Sequence, residues 1–183
     1  MSRIVLLRHA QSEWNAVGRW QGHGDPSLSA LGLEQAQAVA VRLSAAGLGF
    51  ERVVASDLAR ALETAEIVGK QLGLAVQREP LWRERDIGTW TGLTHEEIAA
   101  RWPEDYAHFR AHEEHARPGG GESNAMLRAR AQRALAALRA KHGRARVLVV
   151  THRGIARMLA PETPLGNAEW CELAETSSKR RRD

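Results

Sequence analysis

Three short apolar runs constrain this chain more than any other feature, because each is followed at once by polar residues. Ile4–Leu7 leads into Arg8-His9, Val53–Ala55 into Ser56-Asp57, and Val147–Val150 into Thr151-His152. Unbroken aliphatic runs of this length, rich in β-branched residues, fit strands buried on both faces. Long helical patterns lie between them. After Ser29, the spacing of Leu33, Ala36, Ala40 and Leu43 predicts a helix to about Ala46, ended by Gly47. Leu58, Leu62, Ala65 and Val68 predict a second to Leu72, closed by Gly73, and Met126, Leu127, Leu135 and Leu138 a third from Ser123 to Gly143. Strands that alternate with helices imply crossover connections and an α/β fold: a three-layer, doubly wound, mostly parallel sheet with helices on both faces. Weaker strands are expected at Leu74–Gln77 and near Trp170–Leu173.

Residues 81–117 differ in texture. They hold Trp82, Trp90, Trp102, Tyr106 and Phe109 among many charges, with Thr94 placed to cap one helix and Pro103 to open another. This segment reads as a helical excursion over the site, within one domain that spans residues 1–176. At 183 residues the chain is long enough to bury a core without a metal or disulfide staple. Its single cysteine, Cys171, excludes a disulfide framework and thiolate-rich metal clusters, and fits a reducing compartment. The formal charge is +4, but Lys179–Arg182 carry four positive charges and Asp183 one negative, which leaves +1 for residues 1–178. Residues 177–183 therefore read as a disordered basic tail, and no nucleic-acid surface is expected. The four apolar residues before Arg8 are too few for a secretory signal, and no run approaches the roughly 20 residues needed to span a bilayer. A cytoplasmic protein with no membrane association is expected.

In open α/β sheets, ligands sit outside the carboxyl ends of the strands. Chain order alone delivers Arg8, His9, Arg60 and His152 to that rim. Two arginines and two histidines there make a cationic pocket in a nearly neutral body, and guanidinium forks match phosphate oxygens.

Leu6-Leu7-Arg8-His9-Ala10-Gln11-Ser12-Glu13-Trp14-Asn15 resembles the signature of the histidine phosphatase superfamily, also called the phosphoglycerate mutase-like family. Gln21-Gly22 with Asp25, Ser56–Ala61 with Thr64-Ala65, Arg83-Glu84 with Gly88 and Trp90, Pro118–Ser123, and Val150–Gly154 follow in family order, so the resemblance covers roughly residues 3–160. It implies that His9 takes the phosphoryl group as phosphohistidine, and that Arg8, Arg60 and a cationic His152 hold the non-bridging oxygens. Asn15 and Gln21 are implied as neutral donors. Glu84 is implied as the group that protonates the leaving alkoxide and then deprotonates water. The implied function is hydrolysis of a phosphomonoester on a small phosphorylated metabolite, by a monomer or homodimer, without cofactor or metal.

Two alternatives stand beside it: a bisphosphoglycerate-dependent mutase and a phospho-ligand binding module without turnover. Asp86–Thr94 has the phosphatase-like form rather than the mutase-like one, and a binding module would need the cations but not Glu84. His108, His112 and His115 have a spacing that could hold a metal, but Glu113-Glu114 interrupt it and a solvated helix face is the favoured reading. Gly119-Gly120-Gly121 reads as a flexible turn into the helix capped by Ser123, not as a phosphate cradle. Ala10 and Arg153 stand where the family commonly has glycine. Ala10 would carry strain if its backbone needed positive φ, and Arg153 either joins the pocket rim or points to solvent. The stretch from Pro161 to Leu165 is shorter than the corresponding family connection.

Overall fold

The computed structural model describes residues 3–174; the expected basic tail, residues 177–183, lies outside them. Five strands form one sheet in the order β3-β2-β4-β1-β5. They are β1 (Ile4–Arg8), β2 (Arg52–Ala55), β3 (Val76–Arg78), β4 (Val147–Thr151) and β5 (Trp170–Glu172). The first four are parallel, and β5 closes one edge antiparallel to β1.

Among the described residues the helices are α1 (Glu13–Ala16), α2 (Ala30–Ala45), α3 (Ala59–Leu72), α4 (His95–Arg101), α5 (Pro103–Arg110), α6 (Asn124–His142) and α7 (Arg153–Leu159). The strands read as continuous apolar runs because alternate residues bury on opposite faces. Val5, Leu7, Val53, Ala55, Leu148 and Val150 pack against α2 and α3. Ile4, Leu6, Val54, Val147 and Val149 pack against α6 and α7. The expected three-layer architecture follows from that division.

The helix boundaries match the expected signals. Ser29 and Ser123 accept from the backbone N–H groups of Gly32 and Met126, and Gly73 ends α3 in the left-handed conformation at φ 69°. Most of the expected face residues are buried, Ala36, Ala40 and Leu43 in α2 and Leu127 and Leu138 in α6, but not all. Leu33 is 44% exposed while Val39 is fully buried, and Met126 is 47% exposed while α6 turns Leu127, Ala131, Ala134 and Leu138 inward. Alanines suffice there because α6 packs closely along α7, while Leu127 and Leu138 of the expected face do point inward.

The excursion has its own small core. Ile87, Trp90 and Ile98 are buried beneath Trp20, Leu93, Trp102, Tyr106 and Phe109, while Trp82 belongs to the α6–α7 side of the main core. The glycine triplet is not a loose turn. A Cβ on Gly119 would stand 2.3 Å from the Ile87 carbonyl oxygen, and one on Gly121 2.2 Å from that of Asp86. These glycines let two backbones touch, and so anchor the segment that follows Glu84. No helix among the described residues is long and apolar enough to cross a membrane.

Candidate active site

Parallel register sets Arg8 opposite Thr151 at the carboxyl ends of β1 and β4, so the residues that follow both strands emerge side by side. His9 is 3% exposed and His152 fully buried, with ring centroids 5.1 Å apart. A cavity of about 440 Å³ opens over this rim, lined by Arg8, His9, Asn15, Gln21, Arg60 and Glu84. His152 is not part of that lining.

His9 Nδ1 lies 2.7 Å from the Ala10 carbonyl oxygen. A carbonyl only accepts, so Nδ1 carries the proton and Nε2 of the neutral ring keeps its lone pair. Burial, then the charges of Arg60 and Arg8, holds the imidazole well below its ordinary value. Ala10 is fully buried, its N–H donates to Thr64 Oγ1, and its φ is not positive, so replacing glycine there costs no backbone strain.

Arg60 is fully buried. Its Nη atoms donate to the carbonyls of Gly24 and Gly22 at 2.8 and 2.9 Å, and burial pushes its pKa down to about 10, so it stays charged at neutral pH. Arg8 donates through Nη1 to the Leu165 carbonyl. The Nε atoms of both arginines, and Nδ1 of His152, are buried without a hydrogen-bond partner. Such orphans are costly unless an anion meets them.

The expected cationic His152 is corrected by its surroundings. Burial, then Arg60 and His9, holds it well below the ordinary histidine range, and its Nε2 is hydrogen-bonded with the Ser56 hydroxyl at 2.8 Å. With no carboxylate paired to it, it is neutral at pH 7 in the unliganded site.

Asn15 and Gln21 line the cavity with settled amide orientations. Asn15 Oδ1 accepts from the Ser12 backbone N–H and from Asn167 Nδ2, and Gln21 Oε1 accepts from the Ser12 hydroxyl at 2.7 Å. The NH₂ group of each is therefore left as the free donor. Glu84 is held by main chain: Oε1 accepts from the Arg85 N–H at 2.7 Å and Oε2 from the Gly154 N–H at 3.1 Å. A Cβ on Gly154 would stand 2.1 Å from Glu84 Oε1, so the carboxylate occupies the space that a side chain there would need.

The chain matches the family model "Histidine phosphatase superfamily (branch 1)" over residues 4–179. It belongs to the histidine phosphatase superfamily. A metal-independent phosphoserine phosphatase of Arabidopsis thaliana is 41% identical over 164 residues, 87% of this chain and 67% of that protein. A 2,3-bisphosphoglycerate-dependent phosphoglycerate mutase of Brucella anthropi is 40% identical over 127 residues, 67% of this chain and 62% of that protein. Among solved structures, a mycobacterial glucosyl-3-phosphoglycerate phosphatase complexed with VO3 superposes with a TM-score of 0.85 at 34% identity, covering 95% of this chain and 91% of that one. The chain is a phosphatase-type enzyme of this superfamily.

Several residues of the phosphatase site escaped the sequence reading. Arg130 of α6 donates to the carbonyls of Leu81, Arg83 and Glu84 and pairs with Glu122, which in turn accepts from the Asp86 N–H. His23 donates to the Glu84 carbonyl. Asn167 donates to the His9 carbonyl from the far end of the chain. Arg130 and His23 belong to none of the motifs quoted above, and each of these residues acts through a partner distant in sequence. Arg153 lines the cavity, as do Arg85, Arg157 and Trp20, while Trp90 is buried beneath Trp20 at a centroid distance of 5.9 Å. The three spaced histidines do not share a site: His108 pairs with Glu113, His112 lines the cavity, and His115 is exposed.

Proposed function

We propose that this protein hydrolyses a phosphomonoester through a phosphohistidine formed on His9. The observation that carries the reading is the tautomer: Nδ1 is committed to the Ala10 carbonyl, which leaves Nε2 unprotonated beside two buried guanidiniums with orphan Nε donors. Nε2 attacks phosphorus and the P–O bond to the leaving group breaks. Glu84, protonated for this step, gives its proton to the departing alkoxide. Arg8 and Arg60 neutralise charge on the non-bridging oxygens, and Asn15 and Gln21 donate from their free NH₂ groups. The dianion brings to His152 the negative partner that it lacks in the unliganded site, so His152 gains a proton as phosphate binds and then donates. In the second step water attacks phosphorus, Glu84 takes its proton, the N–P bond breaks and neutral His9 is regenerated. Every group needed is a side chain of this chain.

The substrate on this reading is a small phosphorylated metabolite, which a cavity of about 440 Å³ accommodates. The single cysteine suits the cytoplasm, and a homodimer is compatible with the exposed apolar residues Val17, Leu31, Leu33 and Val41.

The test is rapid quench into alkali during turnover of p-nitrophenyl phosphate, followed by peptide mapping. An acid-labile phosphoryl group on His9, with phosphate release lost in His9→Ala, is expected. An adduct on a serine or on Cys171, or undiminished release by His9→Ala, would overturn the mechanism. In a parallel assay, 3-phosphoglycerate isomerised only when 2,3-bisphosphoglycerate is added would assign a mutase instead. Phosphate binding without any turnover would assign a binding module.

A further inference from the structure

The phosphoryl group needs only one end of the cavity. The remaining wall is more basic than one phosphate requires: Arg85, Arg110, His112, Arg153 and Arg157 also line it, and Glu84 is the only carboxylate in the lining. Arg153 and Arg157 lie four residues apart on α7, so both guanidiniums project from one helix face. Arg110 ends α5, and His112 follows it with φ 58°. Arg85 is brought to the same place by two contacts. Its Nη2 donates to Asn124 Oδ1 at 2.5 Å, and its guanidinium lies 5.7 Å from the centre of the Phe109 ring. Asn124 in turn donates to the His112 and Glu113 carbonyls, which fixes that turn over the cavity.

The charge of Arg157, then burial and the charges of Arg110 and Arg85, depress His112, and Arg157 also depresses Arg85, which is itself lowered chiefly by burial. The nearby acids are committed elsewhere, Glu113 to His108, Glu114 to Arg128 and Glu122 to Arg130. Among the described residues Arg110, Arg153 and Arg157 make no side-chain hydrogen bond or ion pair. Repelling cations gathered in one concave wall, with no acid among them, lower the potential energy of any anion that enters.

We propose that this wall is a second anion-binding subsite, centred on Arg153 and Arg157, and that the substrate is a small phosphomonoester bearing a second anionic group, a carboxylate or another phosphate. The assignment rests on the hydrolase reading above for the reacting phosphate, but the subsite is formed by different side chains and can be read by binding alone. Planar guanidinium forks accept carboxylate and phosphate oxygens alike, so the chemistry shared by the two is what the wall selects.

The first measurement is kcat/KM for p-nitrophenyl phosphate and glycerol phosphate, which have no second anion, for 3-phosphoglycerate, which has a carboxylate, and for fructose 1,6-bisphosphate, which has a second phosphate. At least one doubly anionic substrate should exceed both singly anionic ones by 10-fold or more, and the better of the two identifies the second group. In R153A/R157A this ratio should fall by at least 10-fold. Equal kcat/KM across the set, or a ratio unchanged in the variant, would overturn the proposal.

The second measurement is calorimetric binding to the His9→Ala protein, which needs no turnover. R153A/R157A placed in that background should weaken 3-phosphoglycerate or the bisphosphate at least 10-fold more than inorganic phosphate. Equal weakening would overturn the subsite. If the wild-type protein hydrolyses nothing yet this binding difference persists, the hydrolase reading fails and the subsite stands. Both arginines are exposed, so the variant should keep its melting temperature.

Discussion

His9 and Glu84 are oriented by main chain rather than by other side chains, and this makes their geometry sensitive to backbone space. The Gly154 N–H holds Glu84 Oε2, and the absent Cβ at that position leaves room for Oε1. Gly154→Ala should therefore push the carboxylate aside. Because alanine is the better helix former by about 1 kcal/mol, thermal stability should hold or rise while kcat falls at least 10-fold, with inorganic phosphate binding little changed. A kcat that survives would show that Glu84 has room elsewhere. Glu84→Gln should lose turnover by roughly 10²- to 10⁴-fold, the usual worth of a general acid–base group. Its affinity for phosphate should not fall with it, and a parallel loss measured by calorimetry would make Glu84 structural. His9 and Glu84 were legible in the sequence because each sits in a motif; the tautomer of one and the backbone clamp on the other were not, since both depend on atoms brought close by folding.

The segment from Leu81 to Glu84 runs beside the site without strand partners of its own, and Arg130 supplies the hydrogen bonds that a sheet neighbour would. One guanidinium satisfies three carbonyls and pairs with Glu122. Arg130→Met keeps the aliphatic stem but leaves the Leu81 and Arg83 carbonyls without this donor, and leaves Glu122 and the Glu84 carbonyl with only the Asp86 N–H and His23. A destabilisation of about 2–4 kcal/mol is expected from urea unfolding, together with a lower kcat as Glu84 loses its anchor. Element positions were legible where caps and glycines punctuate the chain, at Ser29, Gly73, Thr94, Pro103 and Ser123. Inner faces were less so, because α6 packs through Ala131 and Ala134 and leaves Met126 outside.

Over the whole molecule, the cost of gathering buried cations appears as a pH dependence of stability. His9 and His152 are both held well below their ordinary values, by burial first and by Arg60 next. Unfolded, each titrates near 6.5, so below that pH the unfolded chain binds protons that the folded chain refuses. The stability these groups contribute is fully present above pH 6.5 and is lost as pH falls toward their depressed folded values, by up to about 1.4 kcal/mol per pH unit for each histidine. Melting temperature should accordingly drop between pH 6.5 and 5. Saturating inorganic phosphate should lessen the drop, because an anion stabilises the protonated His152. A His152→Asn variant should flatten the profile, and an unaltered slope would assign the effect to other groups.

The sequence by itself determined the α/β alternation, the motif order that marks the superfamily, and the strand-end placement of Arg8, His9, Arg60 and His152, because strand periodicity and chain order are local properties. The tertiary structure alone decided three other matters. It showed that His152 is neutral rather than cationic in the unliganded site, that Glu84 is clamped by Gly154 and braced by Arg130, and that Arg153 and Arg157 face the cavity beside Arg85, Arg110 and His112. Charge state, clamping and convergence all depend on burial and on distances between residues far apart in the chain, which no spacing along the sequence encodes.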